Sequence, residues 1–306
     1  MTIKHLVISG GGPLLFKFLG IVQQLEKDEV YRVDNLESIF ATSAGTITAV
    51  IICLKYDWVI VNTYMIDRPW NELYTINIEM LFKMYTKCGI FDYEMMKKTL
   101  KPLLDAKDIP CNVTLLEFYQ FIAIELHFFA VDIHMFVVED FSYLTHPDLE
   151  LLTAIHMSCA LPLFFTPQHF NNKCYIDGGI LCNYPINHCL CKFPNENEIL
   201  GINIQINSNA NNDSYEVSNM IDYFMKIIHG VLYTLSNSTI LPLIPHEISL
   251  KESFMSLKSI TNVLHDSTIR SNMIENGIEI AKEYYKTVLM NDSILDDVAF
   301  ASNSMI

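Results

Sequence analysis

Positive charge is scarce in this 306-residue chain: 20 lysines and arginines stand against 35 aspartates and glutamates, for a formal net charge of −15. That deficit argues against a nucleic-acid partner and against simple electrostatic docking on anionic membranes. A Pro- or Ser-rich linker and internal repeats are also lacking, so a single domain over residues 1–306 is expected. No stretch qualifies as a membrane span. The apolar segment 44–54 stops at Lys55 and Asp57, and the segment 118–138 is broken by Glu125, Asp132 and histidines. The N-terminus opens as a strand with Lys4 and His5 and lacks the apolar run of a secretory signal. The eight cysteines show neither framework spacing nor a C-x-x-C pair, which argues for buried thiols in a reducing compartment and against a metal site. The cytoplasm, including its membrane surfaces, is therefore the expected location.

What is abundant is apolar: 51% of residues are hydrophobic. The core of one large α/β domain accounts for most of this, and an exposed apolar rim for lipid access is a natural use of the remainder. Candidate strands alternate with candidate helices. Strands are expected at 3–9, 38–41, 126–133, 135–138, 174–176 and 199–206. Helices are expected at 16–27, 44–54, 93–104, 114–122, 149–157, 217–235 and 260–288. The order implies a mostly parallel sheet flanked by helices, with loops at the carboxyl ends of strands available to a ligand. The helical insert 56–107, rich in Met and aromatic residues, reads either as part of a cap or as an amphipathic pair that only packs. The asparagine-rich run 207–212 reads as a surface loop.

Chemistry concentrates in three segments. Ile39-Phe-Ala-Thr-Ser-Ala-Gly45 reads as a buried strand ending in a sharp turn with Ser43 at its tip and an apolar helix behind it. That is the layout of a nucleophile elbow, although Ser-Ala-Gly can also end a strand for packing reasons. Near the N-terminus, Gly10, Gly11 and Gly12 join a strand to a helix, leaving N–H groups at the positive end of a helix dipole. Such a turn can cradle phosphate, stabilise an oxyanion or simply turn. A phosphate loop lacks its Gly-Lys-Ser/Thr here, and a dinucleotide fingerprint its third glycine. The third segment, Cys174-Tyr-Ile-Asp177-Gly-Gly179, presents a carboxylate from a tight turn, or is a plain β-turn aspartate.

Together and in this order, these segments resemble the patatin-like phospholipases. The resemblance also takes in Gly20 in the first helix, Ser158-Cys-Ala-Leu-Pro162-Leu-Phe-Phe-Thr-Pro167, and Asn183-Tyr-Pro185. It covers residues 4–206, with residues 207–306 matching only as a helical C-terminal part. It implies a patatin-like three-layer fold and hydrolysis of carboxylic ester bonds in phospholipids or related lipids. Ser43 would be the nucleophile and Asp177 the base that accepts its proton. Gly10, Gly11 and Gly12 would form the oxyanion hole, with the N–H groups of Gly11 and Gly12 as donors joined by that of Ala44. The substrate would be lipid at a membrane surface, and no cofactor or metal is implied. Some members of the family stay inactive until a host factor binds, and nothing in this sequence indicates such an activator.

The departures from the family pattern are specific. Leu14 and Leu15 stand where the glycine loop usually continues with arginine and glycine, and Ala41 stands where the elbow usually has glycine. Lys17 either supplies part of the missing positive charge or is a solvated helix lysine. Pro13 has no N–H, so oxyanion donors must come from the glycines. Ala41 is tolerable where φ is negative and strained where it is positive. Two other readings compete with the dyad. One is a Ser-His-Asp hydrolase drawing on His156, His169 or His188, although an α/β-hydrolase would place its acid before a late histidine. The other is a non-catalytic lipid-binding or scaffold protein on the same fold.

Overall fold

In a computed structural model, residues 2–75, 78–206, 220–238, 240–252 and 257–303 are described. The strands are β1 (His5–Ile8), β2 (Ser38–Thr42), β3 (Gly89–Phe91), β4 (Glu125–Asp132), β5 (Val137–Phe141), β6 (Leu163–Phe165), β7 (Gln168–Phe170), β8 (Lys173–Asp177), β9 (Ile199–Ile206) and β10 (His246–Glu252). The main sheet runs β10-β9-β1-β2-β4-β8-β7, with β5 also paired to β4, while β3 and β6 form a separate parallel pair. Pairings among β10, β9, β1, β2 and β4 are parallel, and those of β5, β8 and β7 are antiparallel. The expected mostly parallel sheet is present.

Helices α1 (Leu15–Lys27), α2 (Ala44–Cys53), α3 (Trp58–Asp67), α4 (Trp70–Leu73), α5 (Ile78–Lys87), α6 (Tyr93–Asp105), α7 (Leu115–Ile122), α8 (Leu151–Ser158), α9 (Ile186–Lys192), α10 (Met220–Ser238), α11 (Leu257–His265) and α12 (Ser267–Asn303) complete the chain. The strands' two-residue period divides the core between the sheet's faces. Leu6, Ile8, Ile39, Ala41, Leu126 and Phe128 pack with α1, α2 and α8, while Val7, Phe40 and Phe129 pack with Ile186 and Cys189 of α9. The result is helix, sheet, helix, the three-layer arrangement the sequence implies. Among the described residues, no helix is long and apolar enough to cross a membrane.

Several expectations are refined. The helix expected at 260–288 is broken at Asp266, whose carboxylate accepts the N–H of Thr268 at 2.8 Å and caps the start of α12. Helices α3, α4 and α5 fall within the helical insert expected at 56–107, while α9 and strands β3, β6, β7 and β10 were not anticipated. The expected loop 207–212 lies outside the described residues. Among the described residues, none of the insert 56–107 lines the cavity over Ser43, whose wall instead takes in α10, Leu241 and Ile260 of α11.

One feature of β4 positions the site. On one edge β4 pairs with β5 through Phe128–Asp132, so β2 and β8 must share the opposite edge. There Thr42 of β2 pairs with Phe129, and Asp177 of β8 pairs with the next residue, Ala130. Because β2 runs parallel to β4 and β8 antiparallel, their carboxyl ends meet head to head. The residue after Thr42 is Ser43.

Candidate active site

Ser43 sits at the sharp turn between β2 and α2 with φ 51° and ψ −123°, a conformation strained for a residue bearing a Cβ. Four neighbours hold it there. Gly45 allows the turn to lie against β1, since a methyl group at that position would come within 2.6 Å of the Ile8 carbonyl oxygen. The Thr46 hydroxyl donates to the Ser43 carbonyl at 2.7 Å. The Ser43 N–H donates to the Ser158 hydroxyl at 2.9 Å, and that hydroxyl donates in turn to the Phe129 carbonyl at 2.6 Å. Finally, the Ser43 hydroxyl donates to Asp177 Oδ2 at 2.7 Å.

Asp177 is buried, and its other oxygen, Oδ1, accepts the N–H of Gly179 at 2.7 Å. Burial raises its pKa from 3.8 to about 6, against the opposing effect of the bonds from Ser43 and Gly179. The carboxylate is thereby a stronger base than an exposed aspartate, yet still ionised at neutral pH. Its backbone N–H bonds the Ala160 carbonyl at 3.0 Å. The segment from Ser158 to Ala160 therefore anchors both the serine and the aspartate. Ser158 belongs to a motif legible in the sequence, but its role as the support of the elbow was not.

The glycine turn lies against the same point. Gly10 is committed on both sides of its peptide: its N–H donates to the Asn183 carbonyl at 3.1 Å, and its carbonyl accepts from Asn183 Nδ2 at 3.3 Å. Gly10 thus shapes the expected oxyanion loop without offering it a donor. The N–H groups of Gly11, Gly12 and Ala44 have no intramolecular acceptor among the described residues. Ala44 opens α2, so its N–H lies at the positive end of that helix. The departures from the family pattern also find their places. Ala41 is in β2, paired with Ile8 and Phe128 in extended backbone where a methyl group is unstrained. Leu14 is buried. Lys17 is not a solvated lysine: it forms an ion pair with Glu252 in which the side chains are only 17% and 22% exposed.

No imidazole completes a triad among the described residues. His156 is buried and bonds the Thr166 carbonyl at 3.0 Å, His169 is exposed on β7, and His188 packs on the Phe129 ring at 4.6 Å. None of the three is hydrogen-bonded to Ser43 or Asp177. Above the serine opens a cavity of about 320 Å³ with a largely apolar wall that includes Leu14, Met225, Leu232, Leu235 and Leu241. A half-buried serine, a buried carboxylate, free N–H groups and an apolar cavity together suit acyl transfer from a hydrophobic ester.

Residues 6–190 match the family model described as Patatin-like phospholipase. Over 185 residues the chain is 28% identical to the probable lipid hydrolase 463L of Invertebrate iridescent virus 6, a match covering 60% of this chain and 62% of that one. It is 23% identical over 231 residues to the uncharacterized protein R571 of Acanthamoeba polyphaga mimivirus, covering 74% of each. Among solved structures it is similar in fold to VipD from Legionella pneumophila, with a TM-score of 0.52 at 16% identity over 93% of this chain and 67% of that one. The chain therefore spans somewhat under two thirds of its iridescent-virus relative.

Proposed function

The chain belongs to the patatin-like phospholipase family, and from that premise we propose that it is a serine lipid acyl hydrolase acting through Ser43 and Asp177. The observation that carries the reading is the 2.7 Å hydrogen bond from the Ser43 hydroxyl to Asp177 at the floor of an apolar cavity. Its substrates are phospholipids or related lipids met at a membrane surface. The lipid-hydrolase name of the iridescent-virus relative supports the same chemistry.

Ser43 attacks the ester carbonyl as Asp177 takes its proton. The N–H groups of Gly11, Gly12 and Ala44 receive the developing oxyanion. Collapse of the tetrahedral intermediate breaks the C–O bond, and the leaving alcohol takes the proton from Asp177. Water then attacks the acyl-serine with Asp177 again as base, releasing fatty acid and restoring the serine. A base with a pKa of about 6 is matched to this work near neutrality. The scaffold alternative draws on the two departures Leu14 and Ala41. Ala41 sits unstrained in a strand, which leaves that alternative little support.

The test is labelling of the folded protein by a fluorophosphonate, followed by hydrolysis of mixed lipid vesicles, for the parent beside Ser43→Ala. Labelling at Ser43 and fatty acid released only by the parent is the expected result. An unlabelled, inactive parent that is demonstrably folded sinks the hydrolase reading.

A further inference from the structure

The cavity over Ser43 carries a distinctive charge pattern. Among the described residues, its only charged side chains are two carboxylates, Asp177 and Glu252. Glu252 is paired with Lys17, so that cation adds no net positive charge to the wall. His188, the wall's imidazole, is held toward its neutral form by partial burial.

We propose that this site selects uncharged acyl esters, with acylglycerols as the lipid class, over phospholipids. The inference rests on the hydrolase reading and narrows its substrate. In a glycerophospholipid the phosphate is carried on the same glycerol as the scissile ester, so placing that ester on Ser43 brings the anion to the cavity. There it loses water without gaining a cation, and it meets Asp177 and Glu252 as like charges. The free hydroxyl of a diacylglycerol makes no such demand: Asn187 lines the wall as a polar partner, and most of the surface is apolar.

The experiment uses the full chain with three lipids of identical acyl chains in neutral detergent micelles: diacylglycerol, phosphatidylcholine and phosphatidate. Released fatty acid is quantified by mass spectrometry. Diacylglycerol is expected to be cleaved about tenfold or more faster than phosphatidate at equal surface fraction, with phosphatidylcholine also below diacylglycerol. Phosphatidate or phosphatidylcholine cleaved as fast as diacylglycerol overturns the proposal. Glu252→Gln then tests the cause. It leaves the Lys17 charge uncompensated at the wall, so the phosphatidate-to-diacylglycerol rate ratio should rise by about fivefold or more. An unchanged ratio overturns the electrostatic account.

Failure of the hydrolase reading shows separately, as a parent inert toward all three lipids and toward p-nitrophenyl butyrate. Selectivity is then read from binding to Ser43→Ala, by displacement of a fluorescent fatty-acyl probe with the same lipids. Displacement by diacylglycerol at about tenfold lower concentration supports the proposal, and equal or better displacement by phosphatidate overturns it.

Discussion

The Ser158 hydroxyl bridges Ser43 and β4, accepting the Ser43 N–H at 2.9 Å while donating to the Phe129 carbonyl at 2.6 Å. Phe129 pairs with Thr42, so the bridge ties the strained turn to the strand beside it. Ser158 itself is fully buried.

Replacing Ser158 by alanine leaves a buried N–H and a buried carbonyl each short of a partner. The expected loss is about 2–4 kcal/mol of stability, since each such group costs about 1–3 kcal/mol. Ester turnover should fall mainly in kcat, because the loosened turn misplaces the serine hydroxyl while the cavity wall stays intact. Ser158→Thr, which keeps the hydroxyl, should recover part of both. Denaturant melts beside steady-state kinetics on a soluble ester make the check. A kcat left at the parental value would mean that the elbow holds its shape without the bridge.

A second relationship fixes the long C-terminal helix. Gly20 of α1 and Gly277 of α12 lie at the crossing of the two helices, where a methyl group on Gly20 would fall on the Ile274 carbonyl and one on Gly277 on the Lys17 carbonyl. Alanine normally favours a helix over glycine by about 1 kcal/mol. Here the backbone clash outweighs that gain, and Gly277→Ala should destabilise by about 1–3 kcal/mol net. A thermal melt of Gly277→Ala beside Gly230→Ala makes the comparison, because a methyl group at Gly230 meets nothing within 4 Å. The Gly230 variant should be neutral or stabilised. Equal melting of the two variants would contradict the close crossing.

How much of this was legible in the sequence depends on the kind of residue. The buried runs at 5–8, 38–42 and 199–204 announce themselves because strands buried on both faces read as mostly apolar runs. Ser43 and Asp177 are legible because each occupies a turn whose small flanking residues have few other uses. Strand β10 was missed because His246-Glu-Ile-Ser-Leu-Lys-Glu252 is an edge strand with polar residues between its buried Ile248 and Leu250. The Gly10–Asn183 pairing was also out of reach, since its residues lie 173 positions apart and meet only through the sheet. The pairing of Lys17 was out of reach for the same reason: its partner Glu252 is 235 residues away.

The pH dependence of turnover follows from the base. Asp177 must be ionised to take the serine proton, and its pKa is raised to about 6 by burial. The expected kcat/KM profile is a plateau above about pH 7 and a fall approaching tenfold per pH unit well below 6. A Ser-His-Asp enzyme gives a limb set by an imidazole, so a rate profile alone does not separate the two. Replacing His156 and His188 singly by asparagine does. Each variant should keep the acid limb of the parent, and loss of the limb with either histidine would transfer the role of base to that residue.

Asp177 should also cost the protein stability at the pH where it works. Its folded pKa, about 6, lies above the ordinary 3.8, so the carboxyl binds its proton more tightly in the folded chain. The associated stabilisation is fully present below about pH 3.8 and is lost as pH rises through about 6. Above that point the folded state carries a desolvated charge that the unfolded chain would hydrate freely. A shift of this size corresponds to about 3 kcal/mol at most, since one pKa unit is about 1.4 kcal/mol. Asp177→Asn keeps the shape of the side chain and one carbonyl oxygen for the Gly179 N–H, but removes the charge. It should abolish turnover while raising the stability measured at pH 7.5 by about 1–2 kcal/mol, allowing for the weakened bond from Ser43. The gain should shrink as the pH is lowered and disappear near pH 4, where the parental carboxyl is already neutral in the folded state. Urea melts of parent and variant at pH 7.5 and pH 4.5 read the difference directly. A gain that does not depend on pH would locate its origin outside the titration of Asp177, and a loss of stability at pH 7.5 would mean that the bonds from Ser43 and Gly179 outweigh the cost of burying the charge.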